Sequence, residues 1–382
     1  MTCCWLDITG VRPGSDAAYM ALALGDALQG HTAVRVCQRI PGLRKEPWTA
    51  LEALAASPPP PDLHVPPVGR LGLAQRLPAP TRAAIRRFVA TQRAALKAWA
   101  SMIHPANPTL PPSESEDTAA PASGDLLLML MPSGDAGRFA AAGVRLVLLS
   151  ADPTALIRPD WAEPAAAEAA AIWLSKTAPH ISTVIAWSAE AADALRAYGL
   201  PAPIVLAAAA SIAHDACDED YVIAAGEISE AGHTRHLLLA WRKLLDEMPP
   251  DTVPPLVLAG PIGPLSDDVI AQLRNSRQFD GAMRVAANPT AAEFSRLLAA
   301  SRFVIAAEAG GWGRATWDGL AAGRACLSSF AAPGATAITP SKISALADGI
   351  RRWIETPPSP SEPMAPRGWS DVAADLLKVL AP

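Results

Sequence analysis

The chain has 382 residues, 50% hydrophobic and 18% charged, which excludes global disorder and leaves length for two domains with substantial cores. A net charge of −5 gives no general attraction to nucleic acid or to anionic lipid. Five cysteines (Cys3, Cys4, Cys37, Cys217, Cys326) show no paired CxxC spacing, which points to reduced thiols in the cytoplasm rather than a disulfide frame or a zinc site. The start, MTCCWLDITG, has no basic n-region, and no apolar run approaches the roughly 20 residues that a spanning helix needs.

Taken in order, residues 3–8 (CCWLDI) are an expected first strand, followed by a loop from Gly10 to Asp16 and a helix over 17–28. Asp is a preferred capping residue, so Asp16 is expected to cap that helix. Residues 34–37 form a second strand, and prolines at 58–61 and across 66–80 make the next segment irregular. A helix over 81–102 carries Arg82, Arg86, Arg87, Arg93 and Lys97. It offers an acceptor-phosphate or membrane-surface patch, or simply a solvated face, and the solvated face is the plainer reading. Residues 106–124 read as a loop.

Two buried strands follow at 125–131 and 144–149, the second leading into Ser150-Ala151-Asp152-Pro153. Asp152 is there either a ligand contact or an ordinary turn residue before proline. A helix over 163–176, a strand over 183–187 and a helix over 189–198 come next. Ser188 caps the last of these and Gly199 stops it. A strand over 203–206 precedes the acidic linker 215–220 (DACDED).

The second half repeats the alternation. Strand 221–225 leads through GEISEAGHTRH to a helix over 237–245, with His233 and Arg235 as the nearest cations. Strand 255–259, the turn Gly260–Gly263, helix 267–274 and strand 283–286 come before a helix over 290–300. Thr290 and Glu293 have capping-box spacing at its start. The stretch 301–330, SRFVIAAEAGGWGRATWDGLAAGRACLSSF, then reads strand (303–307), glycine turn, helix (316–322, closed by Gly323) and strand (325–328). Gly310, Gly311 and Gly313 bracket Trp312 in the turn. Such a turn at the carboxyl end of a parallel strand suits an anionic ligand, because the first helical N–H groups are unpaired and the peptide dipoles sum to positive charge there. Asp318 could accept hydrogen bonds from ribose hydroxyls; the alternative is a tight connection with no ligand. Helices over 342–353 and 370–380 end the chain.

The segment GGWGRATWDGLAAGRACLSS resembles the nucleotide-binding signature of family-4 glycosyltransferases, the retaining enzymes of the GT-B fold. Trp312, Gly313, Asp318, Ala321, Gly323 and Ser328 or Ser329 match its pattern without gaps. The family's first glutamate falls on Gly310, its first proline on Ala315 and its second proline on Ala325, while its second glutamate becomes Asp318. Glu308 stands two residues early and takes the first glutamate's place only through a local shift. Family members carry a histidine at the place of Ala151 and an Arg-Lys pair at Ala231 and Gly232.

The strand–helix alternation independently predicts two Rossmann-like, doubly wound α/β domains facing a cleft. The expected divisions are 1–214 as an acceptor-side domain, 221–352 as a nucleotide-sugar domain and 353–382 as a crossover segment returning to the first. The resemblance implies sugar transfer, with retention, from a nucleotide-diphosphate sugar to a glycan, lipid-linked or protein acceptor, without metal or cofactor. The donor-binding set it implies is Gly310, Gly311, Trp312, Gly313 and Asp318. The catalytic set is Arg235, Arg314 and Asp152. Departures at Ala151, Gly232, Gly310 and Ala315 support a second reading, a transferase-like binding or scaffold protein that has lost catalysis. Donor base, sugar, acceptor and oligomeric state are not legible in the sequence.

Overall fold

The computed structural model describes residues 3–12, 15–37, 121–210, 219–249, 252–264, 266–275, 282–308, 311–356, 358 and 367–381. The expected basic helix over 81–102 and nearly all of the expected acidic linker lie outside these residues. One compact unit takes in Met1–Leu63 and Asp117–Pro382, and the other, His64–Glu116, lies wholly outside the described residues.

Two parallel six-stranded sheets build the larger unit. The first contains β1 (Cys4–Asp7), β2 (Val34–Cys37), β3 (Leu126–Met129), β4 (Arg145–Leu148), β5 (Ile181–Ala186) and β6 (Ile204–Val205), in the order β2-β1-β3-β4-β5-β6. The second contains β7 (Val222–Ala225), β8 (Leu256–Gly260), β9 (Met283–Ala287), β10 (Val304–Ala306), β11 (Cys326–Ser328) and β12 (Ala335–Ala337), in the order β12-β11-β10-β7-β8-β9. Helices cover both faces, so β1, β3, β7, β8, β10 and β11 are buried along their whole length, which is why their sequences are continuous apolar runs. Strand order reverses between β1 and β3 in one sheet and between β7 and β10 in the other. At such switch points the connections leave in opposite directions and a crevice opens beyond the strands' carboxyl ends.

Local chemistry fixes the helix starts. Ser188 Oγ accepts the Ala191 N–H at 3.0 Å, and Thr290 with Glu293 completes the expected capping box. The cap of the first helix, Asp16–Gln29, differs from expectation: Ser15 Oγ accepts the Ala18 N–H at 3.2 Å. Asp16 is the first helical residue, and its carboxylate is committed elsewhere. The short helices Gly137–Ala141 and Thr154–Ile157 and the edge strand β12 escape the sequence pattern because so few residues cannot display a period.

Apolar contacts at two places help tie the halves together. The C-terminal helix Trp369–Leu380 packs on the first helix, burying Val372, Ala373, Leu376 and Leu380 in the first half's core, and Arg145 Nη1 donates to the Leu380 carbonyl at 2.9 Å. Trp312, from the glycine turn of the second half, enters the same core. It is 1% exposed, stacks on Tyr19 at 6.2 Å and meets Trp369 edge-on at 5.3 Å. Leu376→Ala should therefore destabilise the protein by about 2–5 kcal/mol, the cost of an unfilled core cavity. Urea denaturation is expected to show one lowered midpoint with an unchanged slope.

Candidate functional site

The carboxyl ends of the two sheets meet across a cavity of about 60 Å³. The first half contributes Ser15, Asp16 and Ala17 from the start of its first helix, and Ala151, Asp152 and Thr154 from the loop after β4. The second half contributes Glu227, Ala231 and Gly232 after β7, Pro261 after β8, and Glu308, Gly311 and Trp312 after β10. That space holds on the order of four to six waters, so a nucleotide sugar enters only as the walls move apart.

Asp16, Asp152, Glu227 and Glu308 all face this cavity, and no lysine or arginine lines it among the described residues. The carboxylates are not grouped as metal ligands among the described residues either. Each has its own environment. Asp152 Oδ1 accepts the Thr154 N–H at 2.9 Å and so starts the short helix Thr154–Ile157 while facing the cavity. The turn role expected of Asp152 is present, and the residue also lines the cavity where a ligand contact would lie. Glu227 pairs with Arg12 across the cleft and accepts from Ser229 Oγ at 2.7 Å. Burial pushes the Glu227 carboxyl above its ordinary value, Arg12 pulls it back, and Asp152 adds to the rise.

Glu308, two residues past β10, has a buried Oε1 with no hydrogen-bond partner among the described residues. Burial first, then the nearby Asp16 charge, push this carboxyl well above the ordinary glutamate value against the pull of Arg314. In its protonated form such a carboxyl can donate as well as accept.

Arg314 is held by two carboxylates and two aromatic rings. Its Nη1 donates to Asp16 Oδ1 at 3.0 Å and its Nε to Asp318 Oδ2 at 3.4 Å. Its guanidinium lies 4.0 Å from the Tyr19 ring centre and 4.6 Å from that of Phe294. The Asp16 carbonyl also accepts the Trp312 indole N–H at 3.1 Å. The sequence allowed Arg314 either a phosphate or open solvent, and the structure gives it neither: the side chain is 9% exposed and clamped between two carboxylates.

The other expected site residues are dispersed. Asp318 is 2% exposed and faces Arg314 rather than the cavity, so a ribose cannot reach it in this conformation. Gly311 and Trp312 line the cavity, whereas Gly313 opens the helix Arg314–Ala321 with φ +73° and lies against the Phe330 ring. Gly310 lies outside the described residues. Arg235 sits in the first turn of the helix Thr234–Glu247 and pairs with Glu230 and Asp268 at 3.3 and 3.5 Å, away from the cavity lining. His233 cannot replace a missing cation: burial, then His236 and Arg158, push it down to about 4, so it is neutral. Gly232 is not a simple deletion of a side chain. A Cβ there would lie 1.7 Å from the Glu227 carbonyl oxygen, so the loop excludes any larger residue in this conformation.

No family model and no curated protein matches the chain. Solved structures do. Anabaena HepE, in complex with UDP and glucose, is 13% identical, with 99% of this chain aligned to 95% of that one at a TM-score of 0.51. MnaA of S. aureus, in a co-structure with UDP, is 12% identical over 100% of this chain and 97% of that one, at 0.50. A TarM variant of S. aureus is 12% identical and aligns with 66% of this chain at 0.45; the chain spans only half of that protein's length. The fold is GT-B. At these identities the likeness is one of architecture, and the site must be argued from its own residues.

Sequence reasoning passed over Arg12 and Glu227. The signal for Glu227 was available, since an acid two residues past a parallel strand stands at the ligand-facing edge. Arg12 gave none, because its partner lies 215 positions away.

Two outcomes check this geometry. Arg314→Met leaves the buried Asp318 carboxylate without its cation and should cost about 3–5 kcal/mol, whereas Arg235→Ala should change stability by about 0.5 kcal/mol or less, both read from urea midpoints. Glu308→Gln should stabilise the fold, and increasingly so as pH rises. A carboxyl whose folded pKa is raised contributes fully below the ordinary glutamate value of 4.5, and that contribution is lost as pH climbs through the raised value. The melting-temperature difference between mutant and wild type should therefore grow from pH 4.5 upward; a constant difference would show that Glu308 ionises normally.

Proposed function

We propose that the chain is a glycosyltransferase that takes a sugar from a nucleotide-diphosphate sugar and passes it, with retention of configuration, to an acceptor that is a glycan, a lipid-linked group or a protein. Residues 1–214 form the acceptor-side domain, 221–352 the donor-side domain, and 353–382 the crossover segment. The observation that carries this reading is Glu308: a carboxyl whose buried Oε1 has no hydrogen-bond partner among the described residues, just past the carboxyl end of a switch-point strand and lining a cavity between two Rossmann-like sheets. A sugar hydroxyl can satisfy it by donating to Oε1. Retention follows from the family resemblance of the glycine-turn segment.

In this reading Glu308 serves in place of the family glutamate that falls on Gly310. Being two residues earlier, it reaches the cavity from the strand end itself. Asp152 and the start of the helix Asp16–Gln29 bound the opposite wall, where an acceptor hydroxyl would approach. Arg314 acts by position: it holds Asp16 and the turn around Trp312 in one arrangement, so that sugar and acceptor meet a fixed wall.

UDP and UDP-glucose are suitable probes, since HepE binds UDP with glucose and MnaA binds UDP. At a hundred times its Kd, UDP should stabilise the folded protein by about 2.7 kcal/mol and raise its melting temperature accordingly. Slow hydrolysis of UDP-glucose should release glucose first as the α anomer, detectable by proton NMR before mutarotation. No melting shift with any nucleoside diphosphate sinks the donor assignment, and initial release of the β anomer sinks retention. Binding without turnover in the presence of acceptors would leave a sugar-nucleotide binding protein.

A further inference from the structure

A nucleoside diphosphate needs a cation, and the cavity walls offer none. Of the described cations on the surrounding loops, Arg314 is held by two carboxylates and Arg235 pairs with Glu230 and Asp268. Arg158 pairs with Asp160 at 2.8 Å and lies flat over Trp161, and His233 is neutral. Arg12 differs from Arg235, Arg158 and His233 in that its carboxylate partner lines the cavity. It stands on the loop between β1 and the helix Asp16–Gln29, its side chain is 40% exposed, and its ion-pair partner among the described residues is a single carboxylate, Glu227, which itself lines the cavity.

We propose that Arg12 is the diphosphate-binding residue of this chain, exchanging Glu227 for the phosphate when the donor enters. The proposal rests on the donor reading above and adds a residue, from the opposite half of the fold, that supplies the charge missing at Ala231 and Gly232. Three features favour the exchange. The guanidinium fork that grips a carboxylate grips a phosphate with the same two-pronged geometry. Glu227 loses little when released, because burial already favours its protonated form and Ser229 Oγ remains bonded to it. The first turn of the helix Asp16–Gln29, whose cap Ser15 stands three residues beyond Arg12, presents backbone N–H groups on the same wall. Because Arg12 belongs to one half and Glu227 to the other, the exchange also breaks one tie across the cleft as the ligand arrives.

Calorimetric titration with UDP and with uridine on wild type, Arg12→Ala, Arg12→Lys, Glu227→Gln and the double variant tests this. Arg12→Ala should weaken UDP at least tenfold, the order expected for charged hydrogen bonds, and leave uridine within twofold. Arg12→Lys should recover part of the loss. Glu227→Gln should tighten UDP at least threefold, and that gain should vanish in the double variant, because it comes from releasing Arg12. If the Arg12–Glu227 pair were only a strut between the halves, both single variants would shift UDP and uridine together and in the same direction, and the proposal would fall. It would also fall if the Glu227→Gln gain survived whole without Arg12. UDP affinity of Arg12→Ala equal to wild type overturns the role of Arg12 alone. A wild type that binds no UDP overturns the donor reading with it.

Discussion

The arrangement of the cleft depends on one buried guanidinium. Arg314 stands between Asp16 and Asp318, with aromatic rings on its faces, and so fastens the first helix of one half to the glycine turn of the other. A charge removed from water to this degree is tolerated only because both carboxylates reach it. The neighbouring Trp312 makes the same joint from apolar material. Its ring fills the first half's core while its N–H reaches the Asp16 carbonyl. Polar and apolar ties thus converge on one helix start, which is why the turn cannot move independently of it.

That joint has a consequence for charge. Basic side chains near the glycine turn are consumed in holding the structure together, and the cavity is left walled by carboxylates. Such a wall suits the hydroxyls of a sugar, which donate to it, and repels the phosphates to which that sugar is attached. In the proposed function the two parts of a nucleotide sugar make opposite demands on this cleft, with Glu308 on the sugar's side and Arg12 on the phosphate's.

The motif departures look different in this light. At Gly232 the loop has closed until only a hydrogen fits beside the Glu227 carbonyl, so restoring a family cation there would require moving backbone. Ala151 is 1% exposed, and a Cβ on Gly311 would lie 3.8 Å from its carbonyl oxygen, so the two halves come close there.

The sequence by itself determined the layers. Apolar runs such as those of β1 and β7, Ser188 and Thr290 at their caps, and the glycine after Ala322 follow from local rules of burial period and backbone hydrogen bonding, which act within a few residues. The glycine turn at the end of β10 was legible for the same reason. Tertiary structure alone decided the charges. Whether Arg314 meets a phosphate or Asp16, whether Asp318 faces a ribose or an arginine, and whether Glu308 keeps its proton depend on groups up to 298 positions away. Burial and Coulomb interaction are set by distance in space, and sequence order carries no record of it until the chain has folded.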